Sequence, residues 1–196
     1  QLSEYGYDSL HHLISETGFT DHSYQYDSVH NRVSKDENKH SINVLNQVMS
    51  QNEKIYEYDL NGNQKKKTDN SQDWTFKYDA LDRLTEVICG DKKTIYAYDA
   101  FHRRLKKTHY ELKNGNWLKT DENTFLYQGE KEVGSLNKNG KVIEMRTLGL
   151  GINGEIGAAI LVEIDNLVLS PLHDFRGNIV ALLNVNDGSI VESLAK

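Results

Sequence analysis

The sequence predicts an all-β chain, a continuous antiparallel strip of hairpins, from three observations. Tyr-Asp recurs five times in the first hundred residues, at Tyr7-Asp8, Tyr26-Asp27, Tyr58-Asp59, Tyr78-Asp79 and Tyr98-Asp99. Each copy has another aromatic two residues upstream: Tyr5, Tyr24, Tyr56, Phe76 and Tyr96. Residues two apart share one face of a strand, so each copy places two rings on one side of a sheet before Asp ends the strand. Third, the residue three after each Asp is His11, His30, Gly62, Asp82 or His102. These are types that tolerate positive φ, as a tight turn requires.

The same frame exposes a sixth, degenerate unit at Asn43-Val-Leu-Asn46, with Asn43 in the Asp place and Asn46 in the turn slot. Asp or Asn at the start of such a turn can bond back to the backbone. The spacing of the histidines therefore belongs to the turn rather than to metal ligation. The anchors Asp8, Asp27, Asn43, Asp59, Asp79 and Asp99 are 19, 16, 16, 20 and 20 residues apart. That is room for about two strands of five or six residues with two tight turns. After the turn, the next apolar residue falls five after the anchor at Leu13, Val48 and Leu84, and six after it at Val33 and Leu105. This alternation predicts that odd and even units differ by one residue of register.

These residues resemble the YD repeats of the Rhs family, whose unit runs roughly Tyr-x-Tyr-Asp-x-x-Gly-(Asn)-Arg-Leu. The likeness is close at Tyr24-Gln-Tyr26-Asp27-Ser-Val-His-Asn31-Arg32-Val33, at Tyr58-Asp59-Leu-Asn-Gly62-Asn63 and at Phe76-Lys-Tyr78-Asp79-Ala-Leu-Asp-Arg83-Leu84. Relatives of this kind are the Rhs polymorphic toxins, the C subunits of insecticidal toxin complexes and the teneurins. The resemblance implies a β-strip coiled into a hollow shell, which in the bacterial proteins encloses a C-terminal toxin.

From about Asn123 the chain resembles the Rhs-associated core region that follows such repeats, opening with Thr124-Phe-Leu-Tyr127-Gln-Gly129. The division expected is 1–122 for the hairpin array and 123–196 for the core-like hairpins, in one continuous sheet. Asn139-Gly140, between Glu132–Asn137 and Lys141–Met145, reads as a two-residue hairpin turn, and Asn114-Gly115 as another. His173-Asp174-Phe-Arg-Gly177-Asn178 repeats the Asp-to-Gly offset of Asp59, and Asn186-Asp187-Gly188 closes the last hairpin. With no Met at residue 1 and a strand still running at Ala195-Lys196, both ends are expected to be cut. The end strands are then expected to recruit other strands, the C-terminal one being opposed only by Glu192 and Lys196.

Composition agrees with a thin sheet. Tyr outnumbers Phe 11 to 5, and amphipathic rings that bury a face and wet an edge suit a single layer. A net charge of −6 gives no attraction to nucleic acid or to an anionic membrane. The runs Lys65-Lys66-Lys67 and Arg103-Arg104 with Lys106-Lys107 read as a solvated face. No apolar run reaches the roughly 20 residues of a membrane span. Cys89, alone, cannot form an internal disulfide.

Catalytic readings fail one by one. Gly149-Leu-Gly151-Ile-Asn-Gly154 matches the dinucleotide fingerprint, but Gly157 and a strand-like run follow where a helix is needed. Ser170, His173 and Asp174 are close in sequence without the relay geometry of a triad. His11-His12 has no helical partner, no Cys pair exists, and the Asp-rich turns lack the terminal bidentate Glu of a calcium loop. The autoproteases that Rhs cores resemble carry Asp-Pro-x-Gly. The single Pro171 follows Ser170, so no catalytic residue can be carried over.

The resulting expectation is a structural segment of a YD-repeat shell, secreted or at the cell surface, that helps enclose and deliver an effector used in competition between bacteria. Its partners would be the rest of the shell and the effector, with no enzymatic activity, cofactor, metal or nucleic acid. An adhesion or carbohydrate-binding YD module is the alternative, and part of an aspartyl autoprotease core the third reading.

Overall fold

A computed structural model of the chain describes residues 3–18, 21–70, 72–149, 159–164, 166–174 and 177–193. All regular structure among them is β, and every pairing is antiparallel. The strands fall into two compact units, Gln1–Asp91 and Lys92–Lys196.

The first unit holds β1 (Glu4–Tyr7), β2 (Leu13–Thr17), β3 (His22–Tyr26), β4 (Arg32–Lys35), β5 (Asn38–Ile42), β6 (Val48–Gln51), β7 (Lys54–Tyr58), β8 (Gln64–Asp69), β9 (Gln72–Tyr78) and β10 (Leu84–Cys89). Each pairs with the next in sequence. The second holds β11 (Lys92–Tyr98), β12 (Arg104–Lys113), β13 (Asn116–Gln128), β14 (Lys131–Leu136), β15 (Val142–Leu148), β16 (Ala159–Ile164), β17 (Leu167–His173), β18 (Ile179–Asn184) and β19 (Ile190–Ser193). These too pair in chain order.

Alternation along the strands sets the two faces. In β7, Tyr56 and Tyr58 are half-buried while Ile55 and Glu57 are exposed; in β9, Trp74, Phe76 and Tyr78 share a face against exposed Thr75 and Lys77. Tyr5 and Tyr7 share a face too, but are 53% and 59% exposed, β2 being the one strand that pairs with β1 among the described residues. Few side chains leave solvent altogether. The best-covered apolar ones among the described residues are Val162, Leu169 and Ala181, in β16 to β18. With no large side chain fully buried among the described residues, hydrogen bonds and ring-to-neighbour contacts along the strands carry much of the cohesion.

Two kinds of turn recur. Two-residue returns begin on a residue with positive φ: Asp36 (54°), Asn52 (52°), Asn114 (51°) and Gly129 (62°). At Asn114-Gly115 both residues are left-handed, with φ of 51° and 78°, the type I′ turn expected of that dipeptide. The other kind is a five-residue loop anchored on Asp or Asn. It joins β1–β2, β3–β4, β5–β6, β7–β8 and β9–β10, all at one end of the first unit's strands.

Two sequence expectations are corrected. Asn139-Gly140 is not a two-residue turn. Only Gly140 has positive φ (77°), and the chain closes as a five-residue loop from Asn137 to Lys141. Asn137 captures the backbone with its side chain and moves the turn two residues upstream. Nor do odd and even units differ in register. The residue before the anchor always faces the residue five after it, as in Tyr7↔Leu13, Tyr26↔Arg32, Tyr58↔Gln64 and Tyr98↔Arg104. The next residue upstream faces the one seven after the anchor, which leaves the sixth as the extra residue of a bulge. Since two residues share one partner there, either can be the apolar one. The alternation of Leu13 with Val33 is that choice.

Candidate functional site

The repeated loop is built from the anchor outward. At Asp79, Oδ1 accepts the backbone N–H of Leu81 (2.9 Å) and of Arg83 (3.1 Å), and Oδ2 takes Arg83 Nε at 2.7 Å. The anchor's own N–H donates to the Arg83 carbonyl, and Asp82 N–H returns to the Asp79 carbonyl, both at 3.0 Å. The same backbone pair closes the loops that start at Asp8, Asp27, Asn43, Asp59, Asp99, Asn137 and Asp174. Of the sequence-derived motif residues, Asp8, Asp27, Asp59, Asp79 and Asp99 are thus all loop anchors. All six turn-slot residues are left-handed, from 58° at Asp82 to 90° at Gly62. The loop geometry also recurs beyond the six units, at Gly140 and Gly177.

Sequence reasoning missed the residue four after the anchor. His12, Asn31, Asn63, Arg83, Arg103 and Asn178 each give a side-chain hydrogen bond to the anchor's second oxygen. The signal was there: every one of them can donate. Three of them also reach sideways to the next loop. His12 Nε2 meets His30 Nδ1 at 2.6 Å, Asn31 donates to Asn46 Oδ1 at 2.9 Å, and Asn63 to Asp82 Oδ1 at 2.7 Å. The Gln47 amide lies 3.5 Å from the place where Gly62 would carry a Cβ. In each case the fourth residue of one loop meets the slot residue of the following loop. Hydrogen bonds therefore tie the first three loops of the unit to one another and the fourth to the fifth, with the Gln47 amide lying beside Gly62 between the two groups.

Four tyrosines supply the second tie, three of them (Tyr26, Tyr58 and Tyr78) directly before an anchor and the fourth, Tyr127, near the end of β13. Tyr26 donates its hydroxyl to the Leu13 carbonyl (3.1 Å), Tyr58 to Val48 (2.9 Å), Tyr78 to Gln64 (3.1 Å) and Tyr127 to Arg104 (3.1 Å). Each acceptor is five after an anchor, at the bulge of the preceding hairpin, where the ladder is disturbed. Burial pushes the Tyr58, Tyr78 and Tyr127 hydroxyls above the ordinary tyrosine value, with Asp59 adding to it at Tyr78 and Glu132 at Tyr127. They stay neutral donors. Tyr78→Phe is expected to cost about 1 kcal/mol by orphaning the Gln64 carbonyl. Tyr96→Phe, in the place that Phe76 fills in the neighbouring repeat, should cost well under half of that. Urea melts of the two variants check the difference.

Charges in the repeat are locally neutralised. Lys65, Lys66 and Lys67 pair with Glu57, Asp73 and Asp69 at 3.4, 2.9 and 3.0 Å, so the basic run is ion-paired. The Asp8 carboxyl is held below the usual carboxylate range chiefly by the His12 N–H, and that of Asp27 by the Asn31 side chain. At Asp59, Asp79 and Asp99 partial desolvation pushes upward, and the combined hydrogen bonds from residues two and four further on outweigh it. Native carboxyls that hold protons less tightly than unfolded ones stabilise the fold above the unfolded value near 3.9. That contribution is lost as pH falls through the lowered native value. Melting temperature should fall gently from about pH 7 to 5, where burial and nearby Lys107 hold His109 below the ordinary histidine value and make its protonation costly, and fall more steeply below about pH 4. In hydrogen exchange near pH 3, the Arg83 amide should lose protection before the Gln47 and Lys141 amides, whose anchors Asn43 and Asn137 do not titrate.

The catalytic candidates do not assemble. Ser170 and His173 are three apart in β17 and point to opposite faces. Asp174 anchors a loop, bonding Asn178 through both carboxylate oxygens at 2.9 Å. The fingerprint at 149–154 lies, apart from Gly149, outside the described residues. Among the described residues no group of three or more His, Cys, Asp or Glu could hold a metal ion, and no helix is long and apolar enough to cross a membrane.

Comparison with known proteins adds four findings. Residues 58–94 match the family model RHS Repeat. No curated protein matches the chain. A chain in the crystal structure of TcdB2-TccC3-Cdc42 shares the fold, with a TM-score of 0.54 and 12% identity over 93% of this chain. A second, in the crystal structure of TcdB2-TccC3-TEV, covers 97% of this chain at 15% identity, with a TM-score of 0.40 that supports no argument. The present chain spans 12% of the first of these chains and 14% of the second.

Proposed function

We propose that the chain is a member of the RHS/YD-repeat family and a wall segment of a hollow shell that encloses and helps deliver a C-terminal toxin effector. The observation that carries this reading is the doubled tie between repeats. The rim contacts and the tyrosine hydroxyls both join one hairpin to the next, so each added repeat extends a continuous surface without needing a thick core. Likeness of fold to a chain in the TcdB2-TccC3-Cdc42 structure supports it. In this reading residues 1–122 supply the repeat array and 123–196 the start of the core-like region, in a protein that is secreted or cell-surface associated. The chain performs no chemistry of its own. Its partners are the remainder of the shell and the effector, and a bare end strand such as β19, with Ile190 64% exposed, pairs with the next hairpin of the wall.

The test uses the intact gene product that contains this segment. Limited proteolysis should leave any domain after the repeats uncut until denaturant opens the wall, then degrade it at once. A following domain cut freely under native conditions, or the lack of any such domain, would sink the enclosure reading.

A further inference from the structure

Each five-residue loop of the first unit carries a large apolar side chain at its tip. Leu10, Val29, Leu45 and Leu81 stand two after their anchors, and Leu60 stands one after Asp59. Their exposures are 63, 60, 72, 58 and 106%. One exposed leucine is ordinary on a protein surface, whereas a contiguous row bordered by polar residues marks an interaction site. Turn chemistry does not ask for them. The loop uses only the backbone N–H of the second residue, and Asn61 and Asn139 serve there equally well. Hydrogen bonds at three of the four junctions between loops, and the Gln47 amide beside Gly62 at the other, set the tips side by side in one row. With two strands per loop, neighbouring tips are about 9.5 Å apart, wide enough to admit another side chain between them.

We infer that this row is a docking surface for a second copy of itself, the tips of one strip seated between the tips of the other. The period selects the partner. Only a surface that repeats every two strands meets the row tip for tip along its length, and the chain's own rim has that period. The area agrees: with Val44, 98% exposed, the tips offer on the order of 700 Å², near the roughly 800 Å² that each partner gives to a standard interface. Charge excludes the other broad apolar surface. A chain of net charge −6, with carboxylates in four of these five loops, is repelled by anionic lipid. The inference does not rest on the wall reading, since an isolated strip presents the same row.

Sedimentation equilibrium of the purified chain tests it, with Leu10→Asn, Leu45→Asn and Leu81→Asn combined. Asn is native at this loop position in Asn61 and Asn139, so circular dichroism and melting should match wild type. Wild type should dimerise, and the triple variant should dissociate at least about tenfold more readily, a change of about 1.4 kcal/mol. Ile190→Lys, on the β19 edge, should leave association unchanged. If the triple variant melts lower, Leu45→Lys alone gives the same comparison. A wild type monomeric at all concentrations, or loop-tip variants that associate as wild type does, overturns the inference. Loss of association in Ile190→Lys with retention in the loop-tip variants also overturns it, and assigns the contact to the β19 edge.

Discussion

Gly134→Ala should destabilise the chain by about 2 kcal/mol or more, lowering its melting temperature by about 4–8 °C. The reason is space. Gly134 lies inside β14, paired with Met145 of β15. An added Cβ would run into the Glu144 carbonyl oxygen, with Met145 Sδ at 2.7 Å and Met145 Cα at 3.3 Å. The sulfur is the end of a flexible side chain and can swing away. The carbonyl and the Cα are backbone, held by the ladder itself, so relief requires β14 and β15 to part locally. Gly140→Asn is the matched control. A Cβ there meets nothing within 4 Å, and asparagine accepts its φ of 77° as Asn46 accepts 59°. Thermal melts should separate the two variants clearly. Equal melting for Gly134→Ala and wild type would mean that β15 does not press against β14 at this point.

Gly62→Val should cost about 1–3 kcal/mol, and His102→Val about 1 kcal/mol or more, for a different reason. Both residues occupy the turn slot, with φ of 90° and 63°. A β-branched side chain collides with its own backbone in that region. The loop cannot shift to relieve it, because the anchor's carboxylate and backbone already bind the residues on either side. Gly62→Asn should recover part of the loss, since asparagine is the least strained non-glycine residue there. Chemical denaturation of the four proteins gives the order: wild type, Gly62→Asn, then the two valine variants. His102→Val melting with wild type would break the alignment of that unit with the other repeats.

The repeat was readable because its determinants are local. An anchor that bonds residues two and four further on, a slot that needs positive φ, and rings two apart on a strand all act within about six residues. A sequence scan therefore locates every anchor from Asp8 to Asp99 and the all-β class with them. The same locality misled it at Asn139-Gly140. That dipeptide favours a two-residue turn in isolation, and Asn137, two residues earlier, forms the longer loop instead.

What lies between repeats needed the folded chain. The even register of all the loops was hidden, because a bulge lets either of two adjacent residues carry the apolar side chain. The partners of the Tyr58 and Tyr78 hydroxyls are carbonyls 10 and 14 residues away, and a carbonyl has no residue type by which a sequence could announce it. His12 meeting His30, or Asn63 meeting Asp82, depends on two loops being brought side by side by the strands between them. The sequence by itself thus determined the turns, the strands and their faces, because those follow from φ preferences and a period of two. The tertiary structure alone decided how each hairpin grips the next and that the apolar loop tips stand in one row, because both depend on distances across strands rather than along the chain.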